Sequence, residues 1–202
     1  MNFLKRLFGS KENKKKDTTV AGERGKFMPE IQLPTDEKFT INFKKNGGKF
    51  LYCDSMQEIM ECFHNILAEN SWSPADVCCI DDTLASRFRT FNISSRKHCY
   101  GTTLLLTRCE NLVADNGSIL ISSNQIKESK LHDLPDNFIV FATTSQLIDN
   151  LGEGLHGIKS KNKAQIPTNI TTIKHFNNQE EKDFLSYGST SKNLYLLLLE
   201  DL

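Results

Sequence analysis

The chain has 202 residues, enough for one domain with a substantial core, and its 25 Lys and Arg side chains balance its 25 Asp and Glu side chains. This balance excludes the basic character of a typical nucleic-acid-binding protein, so no nucleic acid partner is expected. No apolar stretch reaches the roughly 18 residues of a membrane-spanning helix, and the N-terminus lacks the apolar centre of a secretory signal. A cytoplasmic protein is therefore expected.

Residues 1–27 differ from the rest of the chain in charge and pattern. Residues 1–30 carry eight basic side chains against four acidic ones, and the stretch after residue 9 has no apolar period. A short amphipathic helix at the start would place four apolar side chains on one face: Phe3, Leu4, Leu7 and Phe8. An apolar wedge beside a polybasic run is typical of a peripheral contact with anionic lipid, here at the inner membrane surface; a frayed terminus explains the pattern equally well. We therefore predict an anchor and disordered linker, followed by a folded domain over residues 28–202.

Strands and helices alternate through the predicted domain. The sequence KFLYC, Lys49–Cys53, predicts a strand, and Ser55 with Glu58 forms a capping box ahead of an amphipathic helix. The same order recurs in DVCCI before a helix near Thr83–Phe88, and in NFIVFATTS before a helix that runs from Ser145 through Ile158. Alternation of this kind predicts an α/β fold in which helices cover both faces of a mainly parallel sheet.

Two apolar runs in the middle of the chain, TTLLLTRCENLVA and SILIS, are joined by Asp115-Asn116-Gly117-Ser118. Asn-Gly takes positive φ at low cost and is the strongest short signal for a hairpin turn. The tetrapeptide therefore predicts an antiparallel hairpin inside the otherwise parallel sheet. The last strand is predicted over NLYLLLLE, residues 193–200.

The six cysteines include no CxxC pair, and most lie in apolar runs, which favours buried free thiols in a reducing compartment. Structural zinc sites draw their ligands in pairs two to four residues apart, whereas His98 and Cys99 are adjacent, so no metal is expected. The sequence GEGLHG, Gly152–Gly157, matches a dinucleotide fingerprint, but the helical pattern that enters from Ser145 favours glycines that end or loosen a helix. No cofactor is therefore expected.

Hydroxyl and amide side chains gather where predicted strands end or begin. In open α/β sheets, ligands bind beyond the carboxyl ends of strands, where loop hydroxyls and helix N-terminal amides converge. Each group serves equally well as a helix cap or a turn. The candidate ligand-binding residues are Asn116, Gly117, Ser118, Ser122, Ser123, Asn124, Thr143, Thr144, Ser145, Gly188, Ser189 and Lys192.

Three segments in order, LVADNGSILISSNQ, LPDNFIVFATTSQLIDNL and YGSTSKNLYLLLLED, resemble the LUD domain family of the lactate-utilisation protein C type. The resemblance covers residues 100–202 and implies a fold similar to the sugar-phosphate isomerase and CoA-transferase (NagB/RpiA-like) superfamily. In the related CoA transferases, a Glu in a Glu-Asn-Gly turn accepts the acyl group, and Asp115-Asn116-Gly117 is similar in type. The resemblance thus makes Asp115 the candidate catalytic residue.

The chain departs from the family pattern in two places. It has TNITTIKHF, Thr168–Phe176, where the family usually carries a Gly-Pro-Ser-Arg-Thr-Ala-Asp-like stretch, and Ser189-Thr190-Ser191 in place of His-Gly-Pro. Both departures remove polar groups that a ligand of the family could use. The favoured hypothesis is an accessory module that binds a small anionic metabolite or a protein partner, with a link to lactate utilisation. An enzyme of acyl-CoA or sugar-phosphate chemistry that uses Asp115 is the alternative.

The membrane hypothesis predicts binding that requires anionic lipid and weakens with salt, because each basic residue near the surface contributes about 1 kcal/mol. Flotation with anionic and neutral liposomes measures this, comparing the full chain with a chain that starts at Gly25. Truncation is expected to abolish recovery with the anionic liposomes. Equal recovery of both chains would show that residues 1–24 make no membrane contact.

Overall fold

The computed structural model describes residues 33–176 and 192–201. The predicted anchor and linker, residues 1–27, lie outside these ranges, as do the candidates Gly188 and Ser189. The helices described are α1 (Thr35–Lys45), α2 (Met56–Glu69), α3 (Asp82–Arg87), α4 (Ser123–Ile126) and α5 (Leu151–Lys161). The strands described are β1 (Lys49–Cys53), β2 (Val77–Cys79), β3 (Leu104–Thr107), β4 (Asn111–Val113), β5 (Ser118–Ile121), β6 (Asn137–Thr143), β7 (Leu147–Ile148), β8 (Thr171–Ile173) and β9 (Asn193–Leu199). No helix in these ranges is long and apolar enough to span a bilayer.

Five strands form a parallel sheet, called the main sheet below, in the order β1-β9-β6-β3-β2. The two central strands, β9 and β6, are buried at every position except their ends. Near-continuous apolar runs of this kind are typical of parallel strands that are covered on both faces. The mainly parallel α/β fold predicted from the sequence is confirmed.

Four shorter strands form a mixed second sheet in the order β7-β4-β5-β8. The hairpin β4–β5 is antiparallel as predicted, with Leu112 opposite Ile119. It does not lie inside the main sheet, because the apolar run TTLLLTRCENLVA divides after β3. Cys109 is buried there, and the main-chain N–H of Glu110 donates to the carbonyl of Leu120 at 2.8 Å, which directs the chain into the second sheet.

Helices and the second sheet cover the main sheet from opposite sides. On one face, α2 and α3 bury an apolar cluster that includes Phe63 and Phe88. On the other face, the second sheet and α1 enclose the larger cluster, which includes Phe43 and Phe138. A third cluster, with Ile158 of α5, covers the outer side of the second sheet. Burial of each large apolar side chain contributes about 1.5–3 kcal/mol, so these layers carry most of the stability.

The helix expected from Ser145 begins later than the sequence pattern indicates. Leu147–Ile148 forms strand β7, and Asn150 caps α5 by accepting the N–H of Glu153 at 3.0 Å. The glycines of GEGLHG lie inside α5, which continues to Lys161, so the expectation that they end the helix is wrong. Gly154 has a packing role, since a Cβ there would lie 2.8 Å from Ile148 and 2.9 Å from Leu120.

Cys78 and Cys99 form a disulfide, which corrects the expectation of free thiols at these two positions. The pairing joins residues 21 apart in sequence, and Cys99 lies in an aperiodic stretch that gave no sign of its position beside β2. Their Cα atoms are 5.4 Å apart, within the usual span of a disulfide. The other four cysteines are free: Cys53, Cys62, Cys79 and Cys109.

The turn between β4 and β5 is held from outside by one face of α1. Asn42, and Asn46 at the end of the helix, each donate their side-chain amide to two consecutive main-chain carbonyls of residues 114–117, at 2.6–3.3 Å. Lys38, one turn earlier, forms an ion pair with Asp115. At the contact point, Gly117 has φ +64°, and a Cβ there would lie 2.4 Å from the main-chain carbon of Asn42. Helix and turn therefore meet backbone to backbone.

Gly117→Ala is expected to destabilise the fold strongly, because the new methyl group would push α1 away from the turn. Gly101→Ala is the matched control: its φ is +73°, but nothing lies within 4 Å of the position that its methyl group would take. The control should cost about 1–2 kcal/mol for the left-handed backbone, and Gly117→Ala about 2 kcal/mol more for the collision. Urea unfolding midpoints at unchanged slope measure both. Equal losses would contradict the close packing of α1 on the turn.

Candidate functional site

A carboxylate just beyond β3 collects three side-chain hydrogen bonds on a single oxygen. Oε1 of Glu110 accepts from Ser122 Oγ at 2.6 Å, from Asn124 Nδ2 at 2.8 Å and from Gln125 Nε2 at 3.1 Å. Ser122 also caps α4 by accepting the N–H of Asn124 at 3.1 Å. Two predicted ligand residues, Ser122 and Asn124, are thus engaged within the protein, by a Glu that was not among the residues selected from the sequence.

The third residue of that predicted group, Ser123, is bonded to a different segment. Its Oγ accepts the N–H of Thr168 at 3.0 Å, and its own N–H donates to the carbonyl of Thr168 at 2.9 Å. This pair of hydrogen bonds joins the start of α4 to the irregular segment that precedes β8. Ser123 therefore has a structural role in the described fold.

The polar run after β6 is bonded to Asp201 near the C-terminus. Thr144 Oγ1 donates to Asp201 Oδ1 at 2.9 Å, and Ser145 Oγ donates to Oδ2 at 2.7 Å. Burial raises the pKa of Asp201, but these hydrogen bonds outweigh burial and hold the pKa below its usual range. Thr143 joins the same group, with its Oγ1 3.0 Å from Ser145 Oγ. The three candidates Thr143, Thr144 and Ser145 therefore hold Asp201 at the carboxyl end of β6.

Lys192 lies at the opposite end of the main sheet from these groups. Its side chain is fully buried, and Nζ donates to the carbonyl of Leu134 at 2.9 Å and to Asp136 Oδ1 at 3.3 Å. Burial lowers the pKa of the Lys192 ammonium, and Asp136 opposes that shift. Because β9 extends for roughly 20 Å from here to its carboxyl end, Lys192 cannot share a site with Ser145.

Asp115 contacts α1 through Lys38 and makes no contact with the hydroxyl groups of Ser122, Thr144 and Ser145. Its side chain is 49% exposed and pairs with Lys38, and this hydrogen bond is the main reason that the pKa of Lys38 is raised. Asn116 and Gly117 are held by Asn46, as described for the turn. Ser118 is wholly buried, and its Oγ has no hydrogen-bond partner among the described residues. The turn thus serves chiefly to dock α1.

The structure opens a cleft of about 740 Å³ beside the edge strand β2. One wall follows β2 and includes Ile80 and Asp82; the opposite side comes from Lys127–Ser129, just after α4, together with Leu134. Residues 93–103, called the cleft loop below, supply Ser95–Tyr100. The cleft therefore lies near the carboxyl end of a parallel strand, where ligands of open α/β sheets bind.

The cationic side chains of the cleft differ in their partners. Arg96 Nη2 donates to the carbonyl of Ala75 at 2.9 Å. Lys97 and Lys127 line the cleft from separate segments, and neither has a partner among the residues that the structure describes. Three carboxylates also line the cleft, those of Asp82, Glu128 and Asp133, and Asp82 accepts a hydrogen bond from Ser95. The two lysines are therefore available to a bound anion.

Aromatic and apolar groups complete the cleft. The rings of His98 and Tyr100 lie 5.8 Å apart at an interplanar angle of 32°, and Tyr100 is 80% exposed. Ile80 and Leu134 add apolar surface beside Cys99 of the disulfide. The cleft thus combines two cations that have no partner among the described residues with a surface on which the body of an organic molecule could pack.

The cleft was not predicted from the sequence. None of the candidate ligand residues within the described ranges lines it. The signal was present in RKH, Arg96–His98, three basic or titratable residues in an aperiodic stretch. Within the same ranges, no group of three or more His, Cys, Asp or Glu residues is placed to hold a metal ion.

Comparisons with known proteins agree with this architecture. No curated protein matches the chain. A crystal structure of a DUF162 family protein from Deinococcus radiodurans has a similar fold, with a TM-score of 0.58 and 12% identity, over 84% of this chain and 100% of that one. Such low identity carries information about the fold alone. Residues 93–199, more than half of the chain and including the cleft loop, match the LUD domain. The chain belongs to the LUD domain family, as the sequence resemblance implied.

Proposed function

We propose that this LUD domain protein is an accessory module that binds a small organic anion in the cleft beside β2. The single observation that carries the proposal is the presence of Lys97 and Lys127 in one cleft, from two segments, without partners among the described residues. Unpaired cations in a concave, partly apolar site raise the local concentration of anions and bind their oxygens with charge-assisted hydrogen bonds. A carboxylate or a phosphate group would supply those oxygens.

The size and lining of the cleft favour a metabolite over a macromolecule. Its volume of about 740 Å³ lies within the usual range for small-molecule sites. The ring pair of His98 and Tyr100, with Ile80 and Leu134, would pack against the carbon skeleton of the ligand. Hydroxy acids, sugar phosphates and CoA esters all contain the required anionic group. Lactate is one member of this class, so the proposed link to lactate utilisation is testable on the same site.

Binding without turnover is supported by the engagement of the polar strand-end residues. Ser122, Asn124, Thr144 and Ser145 are all hydrogen-bonded within the protein, so they are not positioned as acids, bases or nucleophiles facing the cleft. A protein partner and a cytoplasmic location remain predictions from the sequence.

A second candidate function, acyl transfer, is favoured by the geometry of Glu110. Three donors fix Oε1, while Oε2 accepts no hydrogen bond from the described residues. Glu110 lies between β3 and β4, and Glu110-Asn111 matches the first two residues of the Glu-Asn-Gly turn that carries the acyl-accepting Glu in the related CoA transferases. A positioned carboxylate of this kind can attack a thioester carbonyl. If the chain is an enzyme, Glu110 is a better candidate than Asp115, which is paired with Lys38.

Anion binding is predicted to raise the melting temperature in a screen of lactate, citrate, inorganic phosphate, glucose 6-phosphate and acetyl-CoA. A ligand at 100 times its Kd adds about 2.7 kcal/mol, or about 5–10 °C for a chain of this size. Lys97→Ala and Lys127→Ala should each weaken the best ligand about tenfold by calorimetry, because each removes one charge-assisted contact. Lys159→Ala, on the exposed side of α5, is the matched control and should bind like the wild type. Absence of any shift, or equal losses in all three variants, would contradict the proposed site.

The acyl-transfer candidate makes a separate prediction about covalent chemistry. Incubation with acetyl-CoA, followed by borohydride reduction and peptide mass spectrometry, should leave Glu110 and Asp115 unmodified if the protein only binds. Glu110→Gln and Asp115→Asn serve as the paired controls. A reduced residue at Glu110, absent in Glu110→Gln and retained in Asp115→Asn, would overturn the non-catalytic role.

A further inference from the structure

The cleft loop is a connection with little regular structure of its own. It touches the edge of the main sheet through one β-bridge, between Ser95 and Cys79, and through the N–H of Arg96, which donates to the carbonyl of Cys79 at 2.7 Å. At its end, the N–H of Thr103 donates to the carbonyl of Asp76 at 3.1 Å. The covalent attachment between these points is the disulfide from Cys99 to Cys78 in β2. The position of this wall of the cleft therefore depends on that bond together with two side-chain hydrogen bonds, from Arg96 to the carbonyl of Ala75 and from Ser95 to Asp82.

The two sulfurs of the disulfide differ in their surroundings. Cys78, within β2, is fully buried, whereas Cys99 is 8% exposed and lines the cleft. Of the six cysteines, Cys99 is the one on the cleft surface. A small thiol that enters the cleft therefore meets Cys99 first.

The charges around Cys99 suit an incoming thiolate. Arg96, Lys97 and His98 precede it on the loop, and Lys127 lines the cleft from a different segment; the carboxylates of Asp82, Glu128 and Asp133 line the same cleft. The thiolate, not the thiol, attacks a disulfide, and positive charge nearby stabilises thiolates. The same cations that would hold a ligand anion would therefore assist exchange at this sulfur.

We propose that the Cys78–Cys99 disulfide is a redox-responsive bond, reduced through the cleft by small dithiols, and that its reduction releases the cleft loop and weakens anion binding. The last part rests on the proposed function. Disulfides that form in reducing compartments are usually transient or redox-sensing, which agrees with the cytoplasmic location expected from the sequence. A permanent cross-link is the competing account.

The exchange balances as an ordinary dithiol reduction. A thiolate of the dithiol attacks Cys99 Sγ and forms a mixed disulfide, while the electron pair of the S–S bond leaves with Cys78 Sγ, which takes up a proton. The second thiol of the reductant then attacks its own sulfur in the mixed disulfide, releasing Cys99 as a thiol after protonation. The protein gains two electrons and two protons, and the dithiol becomes a cyclic disulfide.

The test begins with the folded full chain in dithiothreitol, without denaturant. Rapid alkylation with peptide mass spectrometry measures the thiols at Cys78 and Cys99, and hydrogen exchange measures the mobility of residues 93–103. Reduction is expected to raise the rate of amide hydrogen exchange in the loop about tenfold or more. The exchange rates of α2 should not change. The Cys78→Ser/Cys99→Ser double variant should show the same uptake without reductant. Cys62→Ser, whose sulfur lies 3.7 Å from Cys53 and outside the cleft, is the matched control and should behave like the wild type.

Each outcome decides between the two roles of the bond. The proposal would be overturned if dithiothreitol reduced the disulfide only after the protein had unfolded. It would also be overturned if reduction of the disulfide left the hydrogen exchange of residues 93–103 unchanged. Calorimetry with L-lactate and inorganic phosphate then tests the coupling: about tenfold weaker binding by the reduced protein is expected, because an unfastened wall must be ordered again by the ligand. Equal binding in both states would overturn the coupling while leaving the anion site intact. A released loop with no binding in either state would support the reducible bond and contradict the proposed function.

Discussion

The fold depends on how the second sheet covers one face of the main sheet. Two of its strands, β3 and β6, continue directly into strands of the second sheet, so the covering layer grows from their carboxyl ends. Polar side chains hold these continuations: Gln146 Nε2 donates to the carbonyl of Cys109 at 2.7 Å and to that of Glu110 at 3.2 Å. The carboxyl ends of β3 and β6, where an open α/β sheet ordinarily presents ligand-binding groups, are therefore occupied by connections to the second sheet.

This arrangement explains where the cleft lies. At the edge of the main sheet, β2 is bordered by the cleft loop instead of another full strand. One β-bridge, one disulfide and the main-chain hydrogen bonds of Arg96 and Thr103 join the loop to this edge. A space remains between that loop and the turn after α4, and among the described residues it carries the unpaired Lys97 and Lys127. Stability and binding thus draw on different parts of the molecule. The hydrogen bonds around Glu110 and Asp201 stabilise the fold. The edge formed by β2 and the cleft loop is the site of the proposed ligand.

The sequence predicted the fold better than the site, for a physical reason. Apolar periodicity identified KFLYC as strand β1 and the helix after Ser55, because burial on one face leaves a repeating pattern. Hydroxyl residues at strand ends gave no comparable information, because capping and ligand binding require the same side chains. Asp115 shows this limit: its turn was predicted correctly, but its partner Lys38 lies 77 residues away in sequence. The disulfide and the cleft depend on similar long-range contacts in a loop without periodicity.

The cleft beside β2 is the proposed binding site of this protein. Backbone amide chemical shifts, followed by nuclear magnetic resonance during titration of the full chain with L-lactate or inorganic phosphate, test it residue by residue. Binding in the cleft predicts saturable shifts concentrated in Ser95–Tyr100 and Lys127–Ser129. Saturable shifts confined to the β4–β5 turn at Asp115–Ser118, or to Thr143–Ser145, would contradict it.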